Sequence, residues 1–253
     1  MSSKDYEISK QKSSRIFVTI DQEKEQLLAY AKKLMREPKF EILVWTEEAK
    51  KKVLHYFERI LDDPCVKYVA WHLRKPKHKS VLYHSIDVAL IGISYAVANK
   101  HDEATCLLYG KGGFIHDNGK RFIPVDIINK PEKLNDEEFS VMRLHAPFGY
   151  DDLSGAGFED DVAIACTSEH HPTYPHISGD VSELGKLVAV FDSFGALTEY
   201  RPYPRYFKKL IVEGSFKPNE ALEVLVEDMK EGKLDAKIVQ RFVSIGEISR
   251  YIH

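Results

Sequence analysis

Two hydrophobic periods succeed one another along the chain. Between Ser14 and Ile20 the apolar residues Ile16, Val18 and Ile20 fall on every second position, the spacing of a half-buried strand. Asp21 then caps a predicted helix that runs through Leu34, with Glu23 in its first turn complementing the positive end of the helix dipole. Phe40 to Trp45 reads as a second strand, and Thr46 caps another helix whose apolar face is Val53, Leu54, Phe57, Ile60 and Leu61. Residues 1–64 are therefore expected to form a small βαβα domain, its first dozen polar residues disordered. This segment holds no Gly-rich phosphate loop and no cluster of catalytic residue types, which makes it a companion domain rather than a second active site.

From about Pro64 the strand signals fade, and residues 65–253 read as an all-α domain. Helical periodicity covers Ser80 to Ala98, Asp102 to His116, Asp136 to Leu153, Asp160 to His170, Glu183 to Glu199, Asn219 to Glu231 and Ala236 to Tyr251. Asn135 and Glu138 have the spacing of a capping box. Short polar loops between such segments imply neighbouring antiparallel helices. The expected fold class is α+β: a C-terminal all-α helical bundle with a small N-terminal α/β domain.

Composition narrows the function classes. Hydrophobic residues make up 43% of the 253 and charged residues 30%, a globular balance that excludes global disorder. Thirty-six Lys and Arg against thirty-nine Asp and Glu leave a formal charge of -3, so no basic field grips nucleic acid broadly. An anionic ligand must be met by a local positive site. Cys65, Cys106 and Cys166 are odd in number and far apart, which argues against a disulfide framework or a thiolate zinc site and for a reducing cytoplasm. The most apolar long stretch, Val81 to Asn99, carries His84 and Asp87, and the N-terminus has no apolar signal region, so neither a membrane span nor secretion is expected.

Histidine is the unusual residue. Of eleven, eight fall between His78 and His176. The strongest local signal is Ile115-His116-Asp117-Asn118-Gly119-Lys120, a His-Asp doublet at a helix end. Alone, such a doublet is more often a hydrogen-bonded cap. Its companions are His84 in the preceding apolar helix, His145, the pair His170-His171, and Asp192 at the end of the apolar run Leu187 to Phe191. Burying these groups without partners costs several kcal/mol each, so convergence on shared cations is the simplest account. Imidazole and carboxylate together suit divalent iron, manganese or zinc. Asp117 can give one oxygen to each of two metals, and a metal pair acidifies a bridging water to a hydroxide that attacks phosphorus. Lys120, one helical turn beyond the doublet, can direct its ammonium at the phosphate.

In this order the residues resemble the HD superfamily of metal-dependent phosphohydrolases, and more narrowly its HD-GYP branch. Ile123-Pro124, Lys130-Pro131, Tyr174-Pro175, Ala196-Leu197-Thr198 and Arg201-Pro202-Tyr203 are similar to that branch and follow its sequence, so the likeness covers about Ser80 to Tyr206. The resemblance implies a cyclic di-GMP phosphodiesterase with two divalent metals, iron first and manganese or zinc as alternatives. It puts His84, His116, Asp117 and Asp192 on one metal and Asp117, His145, His170 and His171 on the other. Asp117 and Lys120 would be the catalytic residues. Lys120, Tyr174, Arg201 and Arg205 would meet the substrate. Several positions depart from the branch: Thr173 stands where glycine precedes Tyr-Pro, only Pro172 and Thr173 separate the histidine pair from Tyr174, and Asn118 and Gly195 replace customary residues. Ser80 occupies the place of a third-metal glutamate, which implies two metals. The shortened lid motivates two alternatives, a weakly catalytic signalling module that binds cyclic di-GMP or a partner protein, and a phosphohydrolase of another nucleotide. His55, His72, His78, His101 and His253 read as surface or packing residues, and His176 lies close to the lid.

Overall fold

The computed structural model describes residues 23–158, 166–171, 180–207 and 210–250, with side chains for all of these except 201–207, 210–211, 213 and 247–250. Its helices are α1 (23–34), α2 (Pro38–Leu43), α3 (Glu47–Ile60), α4 (Pro64–Leu73), α5 (Lys79–Ala98), α6 (Glu103–Ile115), α7 (Val125–Ile128), α8 (Asp136–Arg143), α9 (His145–Gly155), α10 (166–169), α11 (Glu183–Thr198), α12 (Pro218–Lys230) and α13 (Ala236–Arg250). Short 3-10 turns occupy Pro76–His78 and Asn118–Phe122.

The central element is α5, buried without interruption from His84 to Ala96. A helix apolar on every face must be covered on every face, and α2, α3, α6 and α11 pack around this one. The apolar segment Pro76–Ala98 has the length and composition of a membrane span, yet it is the core of this bundle. Close approach of α6 depends on Gly113, where a Cβ would stand 2.8 Å from the Val88 carbonyl oxygen. On the far side, Tyr95, Phe191 and Phe194 pack against Phe242 of α13.

Local chemistry fixes the helix starts. The Thr46 hydroxyl accepts from the Ala49 amide, the Asp102 carboxylate from Thr105, and the Ser182 hydroxyl from Gly185. Asn135 and Glu138 close the capping box that their spacing predicts.

The α+β expectation does not hold. The second predicted strand, Phe40 to Trp45, is helix α2 through Leu43. Pro38 enters its first turn, where a proline's fixed φ and missing donor cost nothing. Phe40, Leu43 and Val44, spaced three and four apart, are at most 1% exposed, while Glu41 between them faces outward. A run this short fits either period, and packing against α5 and α13 decides it. The first predicted strand, Ser14 to Ile20, lies outside the described residues. Apolar residues from Leu27 to Leu61 join one hydrophobic cluster with those from α5 to α13, so no separate α/β unit is present among the described residues.

Two further differences affect the site. The single helix expected from Asp136 to Leu153 breaks at Leu144 into α8 and α9, which makes His145 the first residue of a new helix. The expected helix Glu183 to Glu199 is α11, but beyond it the domain read as all-α holds an antiparallel hairpin, β1 (Arg201–Phe207) and β2 (Leu210–Gly214), with Arg201 opposite Gly214 and Arg205 opposite Val212. Pro202 and Pro204 exclude a helix there by removing its donors.

Candidate metal centre

Five separate elements deliver side chains to one buried point. α5 carries His84, and α6 ends into the turn that holds His116 and Asp117. His145 opens α9, His170 and His171 follow α10, and Asp192 lies on α11. The join between the doublet and α9 is possible only because residue 119 is glycine, since a Cβ there would lie 1.9 Å from the His145 carbonyl oxygen and 2.5 Å from the Gly149 amide nitrogen. Lacking a side chain, Gly119 lets the two backbones touch and sets Asp117 beside His145.

Asp117, 1% exposed, faces different rings with its two oxygens. Oδ1 lies 3.4 Å from His145 Nε2 and 3.8 Å from His170 Nε2. Oδ2 lies 3.3 Å from His116 Nε2 and 3.8 Å from His84 Nε2, and the Lys120 ammonium contacts the same oxygen. Asp192 Oδ1 is 2.8 Å from His84 Nε2 and 3.7 Å from His116 Nε2. Three groups have ligand atoms within 4.8 Å of one another: His84, His116 and Asp117; His145, His170 and His171; and His116, His170 and Asp192.

The orientation of the rings is informative. His116, His145 and His170 each donate Nδ1–H to a backbone carbonyl, of Gly113 at 2.7 Å, Met142 at 2.6 Å and Cys166 at 2.9 Å. A carbonyl only accepts, so the proton is on Nδ1, and in a neutral ring Nε2 presents a lone pair inward. Holding a ligand imidazole by its other nitrogen is what metal sites do with their histidines. His145 Nε2 and His170 Nε2 meet at 3.1 Å. Two lone pairs at that distance repel, and a cation shared between them converts the repulsion into attraction. His116 Nε2 and Asp117 Oδ1 are buried with no hydrogen-bond partner among the described residues.

Electrostatics agree with this geometry. Burial pushes His145 down to about 3 and His171 down to about 4, and burial with the neighbouring His171 holds His170 well below the usual histidine range. These rings are neutral at pH 7. Burial also works against a proton on His116, but the carboxylates of Asp117 and Asp192 outweigh it and raise that group to about 10. Burial works to raise both aspartates, yet His116 and Lys120 hold Asp117 well below the carboxylate range, and His116 and His84 do the same for Asp192. The nitrogen and oxygen donors thus fit borderline divalent cations such as iron, manganese or zinc.

All seven residues singled out as metal-binding candidates are brought together, and Lys120 joins them. Tyr174 lies outside the described residues, and Arg201 and Arg205 are placed by backbone on β1. Sequence reasoning overlooked Glu199, whose Oε2 is 3.7 Å from His84 Nδ1, a buried ring nitrogen with no hydrogen-bond partner among the described residues. Its spacing was a usable signal, because Glu199 follows Asp192 by two helical turns. A pocket of about 280 Å³ opens onto the centre between Ser80, Lys120, Asn129, Lys130, Glu199 and Tyr200.

Residues 81–197 match the family model described as HD domain. The chain is 29% identical over 133 residues to the 3'3'-cGAMP-specific phosphodiesterase 1 of Vibrio cholerae serotype O1, an alignment covering 50% of this chain and 28% of that protein. It is 30% identical over 129 residues to the cyclic di-GMP phosphodiesterase PA4108 of Pseudomonas aeruginosa, covering 48% and 31%, and 39% identical over 127 residues to a cyclic di-GMP phosphodiesterase of Vibrio cholerae, covering 43% and 26%. The aligned part is thus less than a third of each relative's length. In fold it is similar to Bd1817, a HDG"Y"P protein from Bdellovibrio bacteriovorus, with a TM-score of 0.53 and 19% identity over 91% of this chain and 72% of that one.

Proposed function

The chain carries an HD domain over residues 81–197, and on that premise we propose that it is a metal-dependent phosphodiesterase that opens a cyclic dinucleotide, with cyclic di-GMP as the leading substrate. One observation carries the reading: the carbonyl-tethered imidazoles of His116, His145 and His170 turn their Nε2 atoms toward Asp117, whose two oxygens face separate histidine sets. The relatives named above, phosphodiesterases of cyclic di-GMP and 3'3'-cGAMP, support the substrate class.

In this proposal His84, His116, Asp117 and Asp192 hold one divalent cation, and Asp117, His145, His170 and His171 hold a second. Iron is the leading metal, with manganese and zinc as alternatives. When bound, such a pair supplies Lewis acidity toward a phosphoryl oxygen and lowers the pKa of water. The protein's own part is positioning. Asp117 keeps the two histidine sets in register, and the carbonyls of Gly113, Met142 and Cys166 prevent the rings from turning away. Lys120, 22% exposed at the pocket wall, offsets charge on the scissile phosphate. Tyr174, Arg201 and Arg205 are proposed to contact the rest of the substrate.

The test is hydrolysis of cyclic di-GMP by the purified chain supplied with ferrous or manganous ion, followed by chromatography of the linear product and GMP. The wild type should turn over, and the His116→Ala, Asp117→Ala double variant should not. Equal product from both would overturn the reading.

A further inference from the structure

A second cavity, of about 440 Å³, adjoins the metal pocket and shares Glu199 and Tyr200 with it. Adjacent residues of α5 serve the two spaces, Tyr83 lining the new cavity and His84 the metal pocket. Ligand pockets span roughly 300–1,000 Å³. The metal pocket alone, at about 280 Å³, is therefore short of what a cyclic dinucleotide needs.

The two spaces differ in charge. Two lysines, Lys120 and Lys130, line the metal pocket together with Asp117 and Glu199, and it opens onto the metal-ligand set. The second cavity is edged by three carboxylates, Glu37, Asp87 and Glu199, against two cations, the exposed Lys217 and the buried Lys39, and Lys39 already faces two of the carboxylates, Asp87 at 2.7 Å and Glu37 at 3.2 Å. All three carboxylates act on the Tyr30 hydroxyl, which burial and their charge push above the tyrosine range. Asp87 is only 5% exposed, and its Oδ1 has no hydrogen-bond partner among the described residues. Such a cavity disfavours phosphate and favours a group rich in N–H donors. Its walls are aromatic: Tyr30 stacks on Tyr83 at 4.0 Å, and Tyr200, 74% exposed, stands where the two spaces meet.

We infer that this cavity holds one guanine base of the cyclic dinucleotide, with Tyr200 against its face and the Glu37 carboxylate reading its edge, while the phosphate lies at Lys120 in the metal pocket. The inference rests on the cyclic-dinucleotide reading above. Guanine offers two adjacent donors, N1–H and the 2-amino group, which match the two oxygens of a carboxylate. Adenine offers an acceptor beside a donor at the same edge, which a carboxylate leaves unmatched and a carboxamide matches. A site built to accept two hydrogen bonds rejects the base that lacks one of them.

The experiment is calorimetric binding of cyclic di-GMP, 3'3'-cGAMP and cyclic di-AMP to the whole chain, with turnover followed separately. The wild type should bind the two guanine-containing ligands at least ~10-fold more tightly than cyclic di-AMP. Glu37→Gln, at a half-exposed position, should weaken cyclic di-GMP ~10-fold while tightening cyclic di-AMP. Tyr200→Ala should weaken all three to a similar extent, because stacking is indifferent to the base. Equal wild-type affinities, or a Glu37→Gln variant with an unchanged ratio, would overturn the base site while leaving a phosphodiesterase standing. Guanine-selective binding that Glu37→Gln inverts, without turnover, supports the base site and counts against the enzyme.

Discussion

His145 Nε2 and His170 Nε2 face each other at 3.1 Å while the Nδ1 of each ring is committed to a carbonyl, at Met142 and Cys166. The helix break at Leu144 makes this meeting possible. Had α8 continued, residue 145 would follow the helical path instead of starting a new one toward α10. The pair is buried, neutral and without a shared proton, which is a poor arrangement for packing and a good one for holding a cation.

This sets the pH response of the metal-free protein. His145 and His171 are depressed to about 3 and about 4, so the stability they allow is present above pH 6.5 and is lost as pH falls through those values. His116 is raised to about 10, so its contribution is present below pH 6.5 and is lost as pH rises toward 10. Each titrating group changes stability by about 1.4 kcal/mol per pH unit across its window. Thermal melts in chelator should peak near pH 6.5 and fall on both sides. Addition of manganese should raise Tm most on the alkaline side, where fewer protons compete for the ligands. A flat profile between pH 4 and 9 would contradict this assignment.

Gly119→Ala tests the contact between the doublet turn and α9. The added Cβ would lie 1.9 Å from the His145 carbonyl oxygen, so the two backbones must separate. The expected outcome is a loss of about 1–3 kcal/mol in denaturant unfolding together with substoichiometric metal by elemental analysis. Full metal content and unchanged stability would show that the approach is dispensable.

Lys39 and Asp87 form an ion pair at 2.7 Å with both side chains at most 7% exposed, tying α2 to α5 one turn beyond His84. Lys39→Met should cost about 3–5 kcal/mol, because it leaves a buried carboxylate without its cation. Lys39→Met with Asp87→Leu should recover most of that loss. If the double variant is no better than the single one, the penalty belongs to packing rather than to the orphaned charge.

The legible features were those encoded by local spacing. Capping residues Thr46 and Asn135 announced their helices because a cap acts on backbone amides two or three residues away. The histidines and aspartates of the centre were legible by residue type, since buried imidazoles and carboxylates need a common partner. The fate of Phe40 to Trp45 was not legible locally, because a six-residue apolar run satisfies both periods until α5 and α13 cover it. Nor was the role of Glu199 or Glu37, which depends on α11 and α2 approaching α5 across long stretches of chain.

The sequence by itself determined most of the long helices, several of their caps and the seven side chains capable of holding metal, because those depend on residue identity and short-range spacing. Only the tertiary structure decided that Pro38–Leu43 is helical and that residues 27–61 share the core, that Asp117 turns each oxygen to a different histidine set, and that a carboxylate-edged aromatic cavity opens beside the centre. These follow from how buried helices exclude water and cover one another, a condition set by the whole chain and carried by no single stretch of it.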